Sequence, residues 1–404
     1  MSSQPEFDPK EFVEKQIHEI PEILGKERDL IAVSGGVDSS TCAALVHKAI
    51  GENLLCIMLD DAFMREGEPE RIRQLLSQPP LKLPIKILNV QERFLTEMKE
   101  LRDAEEKRKV FRENFYRVLS ETAQRERCSF LVQGTILADI VETAGGVKTQ
   151  HNVLSQIGIN PQKKFGLNIV EPLKTLFKGQ VRQIARNLGI PAELAERQPF
   201  PGPGLSVRVV GEIKRDKLAS LRKATAIAEE RLAKHKPDQY FAVIIDNKTV
   251  KAHPRLENIR GTTAARLEVP ENKIAVNVFE DKATGTVKGE RHYGEVAIIK
   301  VQKGRSMHQA PIPDLVALQN TIIKENPSLT RTFYVIKESS EAEKKPYAVA
   351  IRAIQTQDYL TAKVADIPWK TLNEIAERIL SACADVSSVS YDVTPKPPAT
   401  IEME

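Results

Sequence analysis

The chain of 404 residues contains no apolar run approaching the roughly 20 residues that a membrane span needs. Its opening, MSSQPEFDPKEFVEKQ, is charged and has no signal-peptide core. Four cysteines, Cys42, Cys56, Cys128 and Cys383, are scattered, with no CxxC pair. Such spacing argues against a disulfide framework or a structural zinc site and fits a reducing compartment. The net charge of +4 is small for this length, so the strongly basic balance of a nucleic-acid binder is missing. These absences predict a soluble cytoplasmic protein with no nucleic-acid and no membrane partner.

What remains is ordinary globular material, 41% hydrophobic and 28% charged, long enough for two or three domains. One stretch stands out: IAVSGGVDSSTCAALV, residues 31–46, in which a strand-like run enters a Ser-Gly loop and then a helix-like run. Ser34, Gly35, Gly36, Val37, Asp38, Ser39 and Ser40 offer consecutive backbone N–H groups at a helix N-terminus. Glycine permits close approach there, and the orphan amides favour negative charge. The pattern reads as a phosphate or pyrophosphate cradle. It is neither GxxxxGK followed by Ser or Thr nor GxGxxG, which counts against a Walker loop and a dinucleotide fingerprint. An acidic Asp38 would repel phosphate by itself, so the loop predicts a bridging divalent cation, Mg²⁺, with Asp38 as its ligand.

Strand-like runs at 29–33, 54–59, 85–90 and 130–133 alternate with helix-like segments at 11–26, 39–49, 70–76 and 92–126. This alternation predicts a parallel sheet with its ligand site at the strands' carboxyl ends. The first loop, Asp60-Asp61 and Gly134-Thr135 all sit at such ends. Residues 143–165 are irregular and read as a lid, and QPFPGPGL at 198–205 marks a domain boundary. The expected division is a lead-in at 1–28, a first domain at 29–208 and a second at 209–404. In the second, GEVAIIKVQ, IPDLVAL and TRTFYVI are echoed by YAVAIRAIQ, IPWKTLNEI and VSSVSYDV at an offset of roughly 52 to 57 residues. The echo predicts two similar strand–helix–strand units, at about 285–340 and 345–404.

SGGVDSS resembles the loop of the ATP pyrophosphatases, which cut ATP between its α- and β-phosphates. Further motifs resemble the GMP synthetase family: QGT at 133–135, VKTQHNV at 147–153, IVEPLKTLFKGQVR at 169–182, QPFPGPGLSVRVVGEI at 198–213 and YDVTPKPPATIEME at 391–404. The resemblance spans about residues 28 to 404. It implies an α/β fold: an ATP-pyrophosphatase domain of the adenine nucleotide alpha hydrolase type, then an α+β dimerisation-type region with two similar units, enlarged as in eukaryotic-type enzymes. It implies amination of xanthosine 5′-monophosphate (XMP) to GMP through an adenylyl-XMP intermediate, with ATP going to AMP and pyrophosphate. On the matching positions, Ser34–Ser40 with Gly134 and Thr135 would hold ATP, and Lys148 would close on its phosphates as a catalytic lid lysine beside Asp38. Arg65, Arg208, Lys396, Thr400, Ile401 and Glu402 would hold XMP.

Several positions depart from that pattern. The family's Asp-Asn-Gly is Asp60-Asp61-Ala62, its lid His-His-Asn is Gln150-His151-Asn152, and the His before PFPGPGL is Gln198. A Pro is replaced by Ala138, a Gly by Arg112, and the final Trp-Glu by Met403-Glu404. No Cys lies in a nucleophile elbow, and no segment before residue 28 is long enough for a glutaminase. Ammonia is therefore expected from a separate glutaminase subunit or from solution. Because the XMP side departs, a ligase for another purine-like acceptor and a nucleotide-sensing homologue without catalysis stay open. Two units packed on each other would fill a dimer interface within one chain, so a monomer is expected.

Overall fold

Five short strands, β1 (Arg28–Ala32), β2 (Leu54–Asp60), β3 (Ile85–Asn89), β4 (Cys128–Val132) and β5 (Asn168–Val170), form one sheet of order β3-β2-β1-β4-β5. All four pairings are parallel. Strands such as β2 are buried along almost their whole length, as a sheet covered on both faces requires. The covering helices include α1 (Pro9–Leu24), α2 (Val37–Ile50), α3 (Glu68–Leu76), α4 (Gln91–Glu97), α5 (Ala104–Glu126), α6 (Leu137–Ala144), the short α7 (Pro161–Phe165), α8 (Lys178–Leu188) and α9 (Ala192–Ala195). The core packs Ile31, Val33, Cys42, Leu45, Met58, Val132, Val181 and Ile184 from these elements. Because β1 to β3 are added towards one edge and β4 and β5 towards the other, the strand order reverses between β1 and β4. Ligands enter open α/β sheets at such a point.

The computed structural model describes residues 7–144, 159–250, 253–287, 290–357 and 360–404. It separates into two units, Met1–Glu97 with Lys109–Gly202 and Met98–Arg108 with Pro203–Glu404. The long helix expected over 92–126 is two helices. Glu100 adopts φ 65°, and the Asp103 carboxylate caps the restart by accepting from the amides of Glu105 and Glu106 at 3.0 and 2.9 Å. Among the described residues no helix is long and apolar enough to cross a membrane.

The second unit holds a mixed sheet. Its strands are β6 (Val209–Val210), β7 (Gln239–Asp246), β8 (Ile274–Val278), β9 (Ala283–Val287), β10 (Glu290–Lys303), β11 (Ser306–Met307), β12 (Leu329–Glu338), β13 (Tyr347–Gln355), β14 (Lys363–Val364) and β15 (Val386–Asp392). The main order is β11-β10-β12-β15-β13-β7-β6, with β8 and β9 on β10 and β14 on β13. Helices α10 (Arg215–Leu232), α11 (Leu256–Leu267), α12 (Ile312–Glu325) and α13 (Trp369–Ala382) complete it. Strands β10 and β12 are parallel and joined through α12; β13 and β15 are parallel and joined through α13. These two repeats meet where β12 and β15 pair antiparallel, and there Tyr334 lies directly opposite Tyr391. The tyrosines close the two sequence repeats, so a local two-fold relation runs through their pairing. The sheet is thus the α+β region with two similar units that the sequence implies.

Candidate functional site

The loop after β1 is held by its own atoms. Ser34 N donates to Ser39 Oγ at 3.1 Å, the two serine hydroxyls lie 2.9 Å apart, and Ser39 Oγ donates to Gly36 O at 3.2 Å. No side chain caps the first turn of α2, whose N-cap is Gly36. Its leading amides therefore remain available to an anion. Gly35 has φ 78°, and a Cβ there would collide with Ile72 Cδ1 of α3, so a side chain is excluded twice over. Gly134 approaches from the end of β4: a Cβ on it would stand 2.9 Å from the backbone of Asp38 and Ser39. Glycine at both places is what lets two strand ends converge on one helix terminus. Ser40 is buried with no partner for its hydroxyl, and Val37 and Thr135 are buried beside the loop.

Asp38 sits in the first turn of α2, and its Oδ2 accepts from Lys178 Nζ at 2.5 Å. Its other oxygen, Oδ1, is buried without a hydrogen-bond partner. Burial pushes the Asp38 carboxyl up, although Lys178 pulls it down. Lys178 opens α8 and lies inside IVEPLKTLFKGQVR, but spacing alone did not mark it, because one helix lysine reads as a solvated charge. Beside the loop, Asp139 accepts from Ile136 N at 3.1 Å and so caps α6, and Ala138 occupies the first turn where Pro and Ala are both accommodated. Lys148, with Gln150, His151 and Asn152, lies outside the described residues.

At the end of β2, Asp60 accepts from Gln91 Nε2 at 2.7 Å and Asp61 accepts from Phe63 N at 2.9 Å. Asp61 is 8% exposed, and burial raises its carboxyl to about 7. Ala62, where the resembling family has glycine, adopts φ 76°, a conformation that glycine takes more readily. Arg65 lies over the Phe200 ring at 4.1 Å, and its N–H groups bind Glu68, which also pairs with Arg197. Burial works to raise the Glu68 carboxyl, but Arg197 and Arg65 together hold it below its ordinary value.

The second unit carries the remaining expected residues, Arg208 just after Pro203 and the others in its last segment. Arg208 is fully buried, stacks on Phe241 at 3.9 Å and donates twice to Glu402, at 2.9 Å each. The backbone of Lys396 pairs with Ala362 through two 2.9 Å bonds. Two buried arginines organise Thr400–Glu402. Arg352 donates to Thr400 O at 2.9 Å and Ile401 O at 2.8 Å, and Arg331 to Thr400 Oγ1 at 3.0 Å and Glu402 O at 2.5 Å. Both share the buried Asp392, at 2.8 and 2.7 Å. Sequence reasoning missed all three of these residues. The available signal was a charged residue in each of two apolar strand runs, TRTFYVI and YAVAIRAIQ.

The sites can thus do two kinds of chemistry: uncapped amides and a carboxylate for a polyphosphate, and a fixed carboxylate, Glu402, for N–H donors. Among the described residues no cluster of three or more His, Cys, Asp or Glu is placed to hold a metal by protein ligands alone. The NAD synthase family model matches residues 9–205, and the GMP synthase C terminal domain model matches residues 339–403. A GMP synthase (glutamine-hydrolyzing) subunit of Sulfurisphaera tokodaii is 41% identical over 98% of this chain and 100% of the relative. Its namesakes from Saccharolobus solfataricus and Methanopyrus kandleri are 40% and 37% identical, over the same shares. Identity at this level, spanning both the Ser34–Ser40 loop and the arginine-held tail, makes this chain a member of that GMP synthase subunit family.

Proposed function

We propose that this chain aminates XMP to GMP, with ATP cleaved to AMP and pyrophosphate. The observation that carries the reading is the uncapped α2 terminus behind Ser34–Ser40, set at the switch point of a parallel sheet. The C2 oxygen of xanthine is a poor leaving group. It attacks the α-phosphorus of ATP, forming a P–O bond as the bond to the pyrophosphate oxygen breaks. Ammonia then adds at C2, and AMP departs with the former xanthine oxygen. The loop amides grip the β- and γ-phosphates, where charge grows as pyrophosphate leaves.

Asp38 fits a role in holding Mg²⁺: its Oδ1 is buried and lacks a partner, and Mg²⁺ takes one or two carboxylates together with substrate phosphates. When bound, the ion would neutralise phosphate charge. Lys178 keeps Asp38 compensated before nucleotide arrives and is a further cation for the phosphates. On the XMP side, Arg208 holds Glu402 in a fixed orientation, and Glu402 accepts from the purine N–H groups. Arg65, stacked and braced by Glu68, suits the 5′-phosphate, and Lys396 and Thr400 complete the set. Lys148 remains the lid lysine of this proposal.

Ammonia comes from a separate glutaminase subunit. The relatives' names, which describe a glutamine-hydrolyzing synthase divided into subunits, support this. A cytoplasmic location suits a chain whose four cysteines are all free. The two similar units pack on each other through the β12–β15 pairing within one chain, which supports a monomer. A solution mass near twice 45.2 kDa would overturn that. The deciding assay supplies ATP, Mg²⁺, ammonium and XMP and follows AMP, pyrophosphate and GMP together. GMP equal to AMP in the parent, and a loss of roughly a thousandfold or more in Asp38→Ala, is expected. AMP without GMP would redirect the search to another purine-like acceptor. No turnover, with ATP still bound, would favour a sensor.

A further inference from the structure

Lys107 and Glu404 have no part in the roles assigned above, yet both side chains are fully buried. The Lys107 ammonium binds the Glu404 carboxylate and donates to Val209 O at 2.8 Å. The other Glu404 oxygen accepts from Gly211 N at 3.0 Å and from the Tyr293 hydroxyl at 3.4 Å. Arg108 donates to the Glu404 backbone oxygen, and Glu404 N donates to Val207 O at 3.2 Å. One carboxylate thus joins the first turn of α5, the flanks of β6, strand β10 and the tail. Such a pair adds little net stability, because desolvating both charges offsets their attraction. What it does provide is discrimination of register. A slip by one residue would bury Glu404 away from Lys107 and leave two charges uncompensated.

Glu402 lies two residues away, and its two 2.9 Å bonds to Arg208 tolerate no such slip. We propose that the Lys107–Glu404 pair is a positioning device that sets the register of the tail and thereby presents Thr400, Ile401 and Glu402 to XMP. This rests on the reading of those residues as the XMP side. Burial raises the Glu404 carboxyl against the pull of Lys107, so the pair is also sensitive to loss of its cation.

The test compares the parent with Lys107→Met, Lys107→Arg and Glu404→Gln, by amide hydrogen exchange over the tail and by steady-state kinetics. We expect tail amides to exchange roughly tenfold or more faster in Lys107→Met and Glu404→Gln, with the XMP KM raised by a similar factor. The ATP KM should stay within about twofold and kcat at saturating XMP within about threefold, and Lys107→Arg should recover part of the XMP KM. Glu404→Asp replaces Glu404→Gln if the latter does not fold. Unchanged tail exchange, or faster exchange with an unmoved XMP KM, would overturn the inference. A parent that makes no GMP brings down the functional reading first and this one with it. A parent that makes GMP while the variants keep their XMP KM brings down this one alone.

Discussion

The loop Ser34–Ser40 closes on itself through hydrogen bonds spanning two to five positions, whereas the tail at Thr400–Glu404 is held by partners as far as 297 positions away. The loop needs little but backbone: two glycines, a helix terminus and short hydroxyl side chains. The tail needs buried charge: Arg331, Arg352 and Asp392, then Lys107 against Glu404. On the proposed reading the loop's ligand, phosphate, is a generic anion that amides satisfy, so a local motif suffices. The proposed ligand of the tail, a purine, must be read by a carboxylate in one orientation, which a non-local frame can supply. The loop should therefore respond to steric change and the tail to loss of charge.

The largest effect should come from the tail's frame. Arg352→Met leaves Asp392 with one arginine, frees the Ile401 carbonyl and leaves the Thr400 carbonyl with Arg331 as its remaining arginine donor. Removing one partner of a buried ionic cluster typically costs about 3–5 kcal/mol. Urea denaturation should show that loss, with ATP binding retained at low denaturant. Equal loss of ATP binding would break the contrast. Gly134→Ala tests the other side. Its Cβ, 2.9 Å from the Asp38 backbone, must push the helix terminus away. The cost is about 1–3 kcal/mol, with roughly a hundredfold less pyrophosphate release and XMP binding unchanged by calorimetry.

Asp61→Asn sharpens the comparison through pH. The folded carboxyl sits at about 7 against an ordinary 3.8, so the folded state holds its proton longer than the unfolded one. That penalty is absent below about 3.8, grows up to about 7 and is complete above it. The amide never ionises. It should stabilise the protein by roughly 1–3 kcal/mol at pH 8 and by nothing at pH 3.5, as thermal unfolding at the two values would reveal. A gain independent of pH would remove the explanation. The smallest effect is expected from Ala62→Gly, which relieves a φ of 76° but loosens the unfolded chain. The balance should be a gain of about 0.5 kcal/mol, read as a small rise in Tm.

Much of the first unit was legible because its information is consecutive. Residues 31–46 specify a buried strand, a permissive turn and a helix in one run, and the observed elements follow with boundaries shifted by a residue or two. The repeat in the second unit was legible for a related reason: strand and helix periods recur in order. Lys178 escaped notice because nothing in its neighbours shows that α8 begins beside Asp38. Nothing in the run KRK at 107–109 shows that Lys107 is fully buried. The break before α5 was missed because the polar segment carries helix-compatible residues throughout, while Glu100 and Asp103 decide the outcome through backbone angle and cap.

The sequence by itself determined the Ser-Gly loop at the helix start, the parallel sheet around it and the doubled strand–helix–strand units, since each depends on residue type at short spacing. Only the tertiary structure decided which charges pair inside the protein: Lys178 with Asp38, Arg331 and Arg352 with Asp392, Lys107 with Glu404. A charged side chain carries no local sign of its partner. Its burial is tolerable only where the fold brings an opposite charge from far along the chain into hydrogen-bond reach.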